Sequence, residues 1–355
     1  MQGHLVLEDG SVFSGKAFGC QGKRIGEVVF NTSMTGYQQI FTDPSYCGQI
    51  ITMTYPLIGN YGINPEDMEA SRSFAQGIIV HDLCTKPNNW RATNTLENFL
   101  IDQGLIGLSG LDTRALTIHL RQFGSLRGII AAGEYDSQEL LVELQQAKNV
   151  DQSFVSRVST SKPYTLPGGP CHLVVIDFGS KQNIIRWFNQ KGCTITVVPY
   201  NTSAEEILAY EPQGVILSNG PGDPQNVQEV TENILGLFGR VPVLGVCLGH
   251  QLLGLALGGK TFKLHFGHRG GNHPVQDVQT RKVFMTSQNH GYALEKESLP
   301  TDEVEVSHIS LFDETVEGLR HKKLPVFSVQ FHPEAAPGPL DSAYIFQQFL
   351  DMVLS

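Results

Sequence analysis

The chain has 355 residues, of which 41% are hydrophobic and 17% are charged, and its formal net charge is −10. This length predicts two domains with cores of their own, and the composition is that of a globular protein rather than a disordered or fibrous one. The negative charge argues against nucleic acid as a partner, because surfaces that bind nucleic acid are usually basic.

Six cysteines are scattered along the chain, and no two of them form a CxxC pair. The spacing therefore indicates neither a zinc ribbon nor a dithiol redox site, and it is typical of a reduced, cytoplasmic protein. The first residues lack the basic and apolar regions of a secretory signal, and no apolar run is long enough to span a bilayer. We therefore expect a cytoplasmic protein that does not bind a membrane.

Residues 1–150 combine short β-rich runs with helical patterns. Strands are predicted at residues 28–30, 50–54 and 77–80, and helices at residues 95–103, 112–122 and 136–147. Asp136 and Glu139 form a capping-box pattern at the start of the last helix. These features predict an N-terminal α+β domain.

Residues 151–170 are rich in Ser, Thr, Pro and Gly and show neither helical nor strand periodicity. This composition predicts a linker and places the domain boundary there.

From residue 171 to residue 355 the pattern changes to strands that alternate with helices. Apolar strands are predicted at residues 173–177, 194–198, 214–218 and 241–246. Ser203 and Glu206 form a capping-box pattern for one of the helices between them. This alternation predicts an α/β domain with a doubly wound, mostly parallel sheet, in which sites form at the carboxyl ends of the strands.

The strand at residues 241–246 runs directly into Gly245-Val246-Cys247-Leu248-Gly249, and a helical segment follows. A strand, a sharp turn flanked by glycines and a helix form a nucleophile elbow, here with a cysteine as the nucleophile. The helix N-terminus favours a thiolate, and the Leu248 N–H would point towards a developing oxyanion. A free cysteine is more commonly a small core residue, so the interpretation depends on the other motifs.

The second motif is PVFSVQFHPE at residues 325–334. A strand brings His332 to its carboxyl end, and Pro333 cannot continue the ladder, so the chain turns there. Glu334 can accept a hydrogen bond from Nδ1 of the imidazole, which leaves Nε2 facing the thiol of Cys247. The three residues predict cleavage of a small amide, such as that of glutamine, through a thioester.

The third motif is SNGPGDP at residues 218–224, which also follows a strand. Two glycines around a proline form a rigid turn with exposed N–H groups that suit an oxyanion or a carboxylate. An ordinary turn explains this motif equally well when it is considered alone.

Together, GVCLGHQ, SNGPGDP and FHPE resemble the class I, triad-type glutamine amidotransferases. The segments KLHFGHRGGNHPV and TSQNHGYAL in the second half, and EVVFNTSMTGYQQIFTDPSYCGQI, TYPLIGNYG and LDTRALT in the first, resemble the small, glutamine-hydrolysing subunits of carbamoyl-phosphate synthetases. The likeness covers nearly the whole chain, including an N-terminal domain that other triad amidotransferases lack.

The resemblance implies that Cys247 is the nucleophile, His332 the base and Glu334 the residue that orients it. The glutamine pocket that it implies comprises Ser45, Gly220, Gly222, Leu248, Gln251, Asn289, Gly291 and Tyr292. Gln251 lies one helical turn past Cys247 and can bond the charged end of L-glutamine. Since Ser45 comes from the other domain, the expected pocket lies at the domain interface.

Four histidines, at positions 265, 268, 273 and 290, raise the question of a metal site. Their spacing matches no standard zinc pattern, and Cys247 already has a role. We therefore expect no metal and no cofactor in this chain.

Ammonia released in water is soon protonated and then no longer nucleophilic, so a chain that makes it should dock on an acceptor enzyme. The chain has no second large α/β half of the kind that would carry an ATP site. The resemblance implies a separate large synthetase subunit that uses bicarbonate, ATP and Mg, in a heterodimer or a higher oligomer. The implied product is carbamoyl phosphate for arginine and pyrimidine biosynthesis.

Two other functions stay open at this point. The first is a non-catalytic module that senses glutamine, against which the intact triad argues. The second is a stand-alone γ-glutamyl hydrolase, against which the long N-terminal domain and the missing secretory signal argue.

Overall fold

The computed structural model of the chain describes residues 1–147 and 154–355. The chain divides into two units, Met1–Gln152 and Ser153–Ser355. None of the helices among the described residues is both long enough and apolar enough to cross a bilayer.

The first unit combines strands with four helices in its described part. The elements are β1 (Gln2–Leu7), β2 (Val12–Gly19), β3 (Gly22–Asn31), α1 (Tyr37–Thr42), β4 (Gln49–Met53), β5 (Leu57–Ile58), β6 (Gly77–Ile79), β7 (Asp82–Leu83), α2 (Leu96–Asp102), β8 (Ile106–Ser109), α3 (Thr113–Phe123), β9 (Leu126–Ala132) and α4 (Ser137–Gln146). Seven of the strands close into a barrel in the order β1-β2-β8-β6-β4-β3-β9, while β5 and β7 form a separate pair. The predicted mixture of strands and helices is confirmed, and the barrel is the arrangement that it takes.

The helices of this unit begin where side chains can cap them. Thr95 accepts a hydrogen bond from the N–H of Asn98 at the start of α2, and Asp112 accepts one from the N–H of Ala115 at the start of α3. Asp136 caps α4 in the same way. Each of these side-chain oxygens satisfies an N–H group that has no partner within its helix, which is why the predicted helix starts agree with the observed ones.

The second unit is an α/β structure around one large sheet. Its elements are α5 (Phe154–Val158), β10 (Tyr164–Leu166), β11 (His172–Asp177), α6 (Gln182–Gln190), β12 (Thr194–Pro199), α7 (Ala204–Leu208), β13 (Gly214–Leu217), α8 (Thr231–Leu235), β14 (Val243–Val246), α9 (Leu248–Ala256), β15 (Thr261–Asp277), β16 (Val283–Leu294), β17 (Val304–Ser310), β18 (Val316–His321), β19 (Val326–Val329) and α10 (Tyr344–Leu354). The strand order in the sheet is β10-β12-β11-β13-β14-β19-β18-β17-β15-β16.

The predicted doubly wound, parallel sheet is confirmed for the five strands β12, β11, β13, β14 and β19, which pair in parallel. Helices cover both faces: Ile176 of β11 belongs to the same hydrophobic cluster as Leu252 of α9, whereas its neighbour Val175 belongs to a second cluster with Phe188 of α6 and Phe346 of α10. Adjacent residues of a strand point to opposite faces, so this division confirms the two helical layers.

The same sheet continues beyond β19 with antiparallel strands, which the sequence analysis did not predict. β18, β17, β15 and β16 all pair antiparallel. Only residues 278–282 connect β15 to β16, and only residues 311–315 connect β17 to β18. Connections this short join antiparallel strands, because a parallel pair needs a crossover of a dozen or more residues.

The predicted linker at residues 151–170 differs from the structure, although residues 151–153 lie outside the described part. Its described residues form α5 and β10, and β10 pairs antiparallel with β12 at the edge of the large sheet. The Thr160 N–H also donates to the Asp177 carboxylate at 2.7 Å. A five-residue helix and a three-residue strand are too short to show a period, so composition alone gave the appearance of a linker.

Candidate active site

Cys247 lies at the turn between β14 and α9 and is buried. Its backbone has φ 52° and ψ −104°, a conformation that costs a non-glycine residue about 1–3 kcal/mol. Two backbone hydrogen bonds hold the turn: the Cys247 N–H donates to Val329 O at 2.9 Å, and the Gly249 N–H donates to Ser218 O at 3.0 Å. The predicted elbow therefore has the strained geometry that presents a nucleophile at the end of a strand.

The two glycines of the elbow are required by close approaches of the backbone. A Cβ on Gly245 would lie 2.7 Å from Gly249 O, and a Cβ on Gly249 would lie 2.2 Å from Leu217 O. Both distances are far shorter than a carbon–oxygen contact allows. The elbow can therefore pack against β13 only because these positions lack side chains.

Replacing Gly249 with alanine is expected to lower the free energy of unfolding by about 1–3 kcal/mol, since overpacking against backbone atoms must displace a strand. Gly254→Ala is the matched control in the same helix, because the nearest atoms to its new Cβ belong to the Leu294 side chain, at 2.4 Å. A side chain can change rotamer, so this variant should lose less stability. Urea unfolding of both proteins measures the difference, and equal stabilities would contradict the close packing of the elbow.

His332 and Glu334 form the second part of the site. The imidazole Nδ1 lies 2.6 Å from Glu334 Oε1, and both side chains are buried. The backbone of the turn is held by the His332 N–H, which donates to Ser287 O at 2.9 Å, and by the Ala335 N–H, which donates to His332 O at 3.1 Å. Since Nδ1 bonds Glu334, the nitrogen left for Cys247 is Nε2.

The charges around His332 favour its protonated form. Burial alone would lower the pKa of His332, but the Glu334 carboxylate and the neighbouring Cys247 raise it to about 10. His332 Nε2 makes no hydrogen bond with a described residue, and the Cys247 Sγ lies 3.6 Å from the carbonyl oxygen of Asn289. Enzymes often tighten such nucleophile–base contacts only when substrate binds. An imidazole with this pKa carries a proton at neutral pH and can give it to a leaving group.

Lys181 is part of the site, and the sequence analysis did not identify it. Its Nζ lies 3.0 Å from Glu334 Oε1, with both side chains almost fully buried, and it also contacts the carbonyl oxygen of Ala335. Burial would raise the pKa of Glu334, but Lys181 and then His332 lower it to about 2. The Lys181 N–H donates to Asn219 Oδ1 at 3.0 Å. Its place just after β11, at the carboxyl end of a parallel strand, is the sequence signal that could have revealed it.

The SNGPGDP loop packs against the start of α9. A Cβ on Gly220 would lie 2.3 Å from Phe178 O and 2.7 Å from the Leu248 side chain. Gly222 has φ +87°, and a Cβ there would lie 3.2 Å from the ring of Phe154. Leu248 is the first residue of α9, and the N–H of such a residue has no partner within its helix. The loop and the helix start therefore meet beside the elbow.

Gln251 lies on α9 and is fixed by both hydrogens of its amide. Its Nε2 donates to Tyr292 O at 2.8 Å and to Gln330 Oε1 at 3.0 Å. A carbonyl oxygen can only accept, so the nitrogen must be the atom that faces Tyr292. The oxygen Oε1 is therefore the atom of this side chain that remains to receive a ligand.

The remaining predicted residues lie on β16 and in the first unit. Asn289 and Gly291 both lie on β16. The carbonyl oxygen of Asn289 is next to the Cys247 sulfur. Ser45 is buried in a 3-10 turn, Pro44–Tyr46, of the first unit. The described contacts in the second unit join Cys247 to Asn289, Gln251 to Tyr292, and Gly220 to Leu248, while Ser45 is described within its own unit.

Two family models match the chain. One is described as "Glutamine amidotransferase class-I" and matches residues 174–352, and the other is described as "Carbamoyl-phosphate synthase small chain, CPSase domain" and matches residues 5–130. The two matches fall on the second and the first unit, respectively.

Curated relatives match over nearly their whole length. The carbamoyl phosphate synthase small chain of Bacillus caldolyticus is 54% identical over 353 residues, which cover 99% of this chain and 97% of the relative. The small chain of Syntrophotalea carbinolica is 51% identical, covering 99% and 98%. The pyrimidine-specific small chain of Bacillus subtilis is 50% identical, covering 99% and 96%.

Proposed function

The chain belongs to the family of carbamoyl-phosphate synthase small chains, and on that premise we propose that it hydrolyses glutamine and passes the ammonia to a large synthetase subunit. The observation that supports this most is the buried group of Cys247, His332 and Glu334 at the carboxyl ends of β14 and β19. A nucleophile, a base and a residue that orients the base are what amide cleavage through a thioester requires.

In the first half of the proposed reaction, the Cys247 sulfur attacks the side-chain amide carbon of glutamine, and the carbonyl electrons move onto the oxygen. The N–H groups of Leu248 and Gly222 are the proposed donors to this oxyanion. When the intermediate collapses, the C–N bond breaks and the leaving nitrogen takes a proton from His332, which gives ammonia and a γ-glutamyl thioester.

In the second half, water loses a proton to His332 while its oxygen attacks the thioester carbon. The C–S bond then breaks, glutamate leaves and Cys247 is restored. His332 thus gives one proton and takes one back in each cycle, which requires Glu334 to hold the ring in one orientation throughout.

Recognition of the amino-acid end of glutamine is proposed for the other pocket residues. The geometry of Gln251 supports a specific contact, because both hydrogens of its amide are used and its Oε1 can accept from the ammonium group of the substrate. Asn289, Gly291 and Tyr292 would contribute main-chain groups along β16. Gly220 would line the pocket beside Leu248, and Ser45 is the proposed contribution of the first unit.

Lys181 supports the triad as a positioning residue. A buried carboxylate without a cation would tend to take up a proton, because burial disfavours the charged form. The Lys181 ammonium keeps Glu334 ionised, and an ionised Glu334 accepts a charge-assisted hydrogen bond from Nδ1–H that stabilises a protonated His332. Lys181 therefore acts through Glu334 and does not need to touch the substrate.

We expect Lys181→Met to move the acid limb of kcat/KM for glutamine to higher pH. The folded-state pKa of Glu334 lies below its usual 4.5, at about 2, so activity that needs its charge is present above this pKa and is lost as the pH falls through it. Without Lys181 that pKa rises. The ionised carboxylate also contributes to stability. In the wild type this contribution is lost only as the pH falls from about 4.5 towards 2, and in the variant it should be lost at higher pH.

The control for this experiment is Lys260→Met, since Lys260 is exposed. Its pH profile should match that of the wild type. If the acid limb of Lys181→Met also coincides with that of the wild type, Lys181 does not set the charge of Glu334.

The proposed partner is a large synthetase subunit that binds ATP and Mg and uses bicarbonate, in a heterodimer or a higher oligomer, for arginine biosynthesis, pyrimidine biosynthesis or both. This chain itself would need no cofactor for glutamine hydrolysis. None of the six cysteines, all of which lie in the described ranges, forms a disulfide, which supports the proposal that the complex works in a reducing cytoplasm.

The function is tested by assaying the purified chain for glutamate release, with and without a synthetase subunit that co-purifies with it from the source cell. Turnover of glutamine is the expected result in both conditions. A complete lack of turnover would favour the glutamine-sensing module, and faster cleavage of γ-glutamyl peptides than of glutamine would favour a stand-alone hydrolase.

A further inference from the structure

A buried cluster of two histidines and a glutamate lies on the antiparallel strands of the second unit. His268 is on β15, His290 on β16 and Glu317 on β18. The atoms His268 Nδ1, His290 Nε2 and Glu317 Oε1 all lie within 4.8 Å of one another. Glu317 Oε1 is 3.7 Å from His268 Nδ1 and 3.9 Å from His290 Nε2, and the three side chains are at most 8% exposed.

The three atoms that face one another make no hydrogen bond with any residue in the described ranges 1–147 and 154–355. Buried polar atoms nearly always have a partner, so three such atoms at one point call for an explanation. Distances of 3.7 and 3.9 Å are too long for hydrogen bonds and too short for an unoccupied space of any size. They suit three atoms that share one small ion.

Every other polar atom of the cluster has a hydrogen-bond partner. His268 Nε2 lies 2.9 Å from Asp313 Oδ2, His290 Nδ1 lies 2.8 Å from Tyr292 O, and the Gln288 Nε2 donates to Glu317 Oε2 at 2.7 Å. Imidazoles that bind a metal usually donate their second N–H to a carboxylate or a carbonyl, which turns the other nitrogen towards the ion. Both histidines have this arrangement.

The protonation state of His290 also suits a metal ligand. The Tyr292 carbonyl can only accept, so the ring proton of His290 is on Nδ1 and the lone pair is on Nε2. Burial also lowers the pKa of His290 well below its usual value. A neutral imidazole is the form that binds a metal.

We propose that His268 Nδ1, His290 Nε2 and Glu317 Oε1 bind one Zn²⁺ ion. Two imidazoles and a carboxylate are a common ligand set for Zn²⁺, and bonds of about 2.0–2.1 Å in tetrahedral geometry place ligand atoms roughly 3.3 Å apart. Glu317 Oε1 would need to come only about half an ångström closer to each imidazole nitrogen, which a rotamer adjustment allows. The carboxylates of Glu317 and Asp313 together balance the charge of the ion.

The ion would act on the structure of the pocket and not in the reaction. It would tie β15, β16 and β18 together at His290, which lies between Asn289 and Gly291 on β16. Because all three ligands are buried and the triad suffices for amide cleavage, we assign the ion a structural role, with a water as the fourth ligand of the tetrahedron. The sequence analysis expected no metal. It considered only the spacing of the histidines, and that spacing gives no indication that Glu317 on β18 lies beside them.

The competing occupant is a proton on His268. Burial would lower the pKa of His268, but Asp313 and Glu317 raise it to about 9. Without a metal, the ring would hold a proton between the two carboxylates. The two possibilities differ in metal content, which makes the proposal directly testable.

The experiment measures the metal content of the full chain, produced without a metal-affinity tag and dialysed against Zn²⁺ and then against buffer, by mass spectrometry of the elements. We expect one Zn²⁺ per chain, and a chelator should lower the Tm. His268→Gln and Glu317→Gln should bind no Zn²⁺. His265→Gln is the matched control, because His265 is exposed on the same strand, and it should keep the ion.

Two further measurements keep the proposal testable if a ligand variant fails to fold. Cys247→Ser should retain the ion, which excludes binding at the catalytic thiol, and X-ray absorption of the wild-type chain with Zn²⁺ should show nitrogen and oxygen ligands at about 2.0–2.1 Å. A metal-free wild-type chain whose Tm does not respond to Zn²⁺ would overturn the proposal in favour of the proton. A sulfur ligand in the absorption spectrum would overturn it in favour of Cys247.

Discussion

Replacing Cys247 with serine is expected to reduce kcat for glutamine hydrolysis by about 10⁴-fold or more, since the nucleophile of a triad contributes nearly the whole effect of the triad. A serine hydroxyl is a weaker nucleophile than the cysteine sulfur, and a protonated His332 cannot take its proton. Ammonia-driven synthesis of carbamoyl phosphate by the complex should be unchanged, because ammonia added from solution does not need the thioester. Both activities can be measured on the same complex.

Cys193→Ser is the matched control for this experiment. Cys193 is also a buried, unpaired cysteine of the second unit. Burial, and then the neighbouring Cys171, raises the pKa of its thiol to about 12, so it stays protonated and unreactive. Its variant should retain glutamine hydrolysis, whereas a loss of ammonia-driven synthesis in Cys247→Ser would mean that Cys247 has a structural role instead.

The parts of the fold that could be predicted are those coded by short stretches of sequence. The Ser203–Glu206 capping box forms with both of its hydrogen bonds, because it involves only residues three positions apart. The parallel strands were recognisable as continuous apolar runs. The barrel of the first unit was not predictable, since its closure pairs Gly3 of β1 with Ala132 of β9, and no local pattern links such distant residues.

The same distinction holds for the site. Cys247, His332 and Glu334 could be identified because each lies in a motif whose glycines, proline or spacing has a local reason. Glu317 has no local signal, and Lys181 has only its place after β11, because each gains its partner only when distant parts of the chain come together. A lysine or a glutamate in a sequence is usually an exposed, solvated residue, so burial and pairing have to be seen in the structure before a role can be inferred.

His332→Ala and Glu334→Ala are expected to show opposite orders in activity and in stability. In activity, His332→Ala should be the more damaging, with a loss of about 10³–10⁴-fold in kcat, because it removes the group that carries the proton. Glu334→Ala removes only the residue that orients this group, so we expect a loss roughly tenfold smaller. The reverse order would mean that the two roles have been wrongly assigned.

In stability the order should be reversed because of Lys181. Glu334→Ala leaves a buried ammonium without its carboxylate, which is expected to cost about 3–5 kcal/mol, whereas His332→Ala keeps the pair of Lys181 and Glu334 intact. Adding Lys181→Met to Glu334→Ala removes the unpaired charge and should recover most of the lost stability without recovering activity. Urea unfolding of the three variants and the wild type tests the order in stability, and single-turnover assays test the order in activity. The two measurements separate a loss of stability from a mispositioned base.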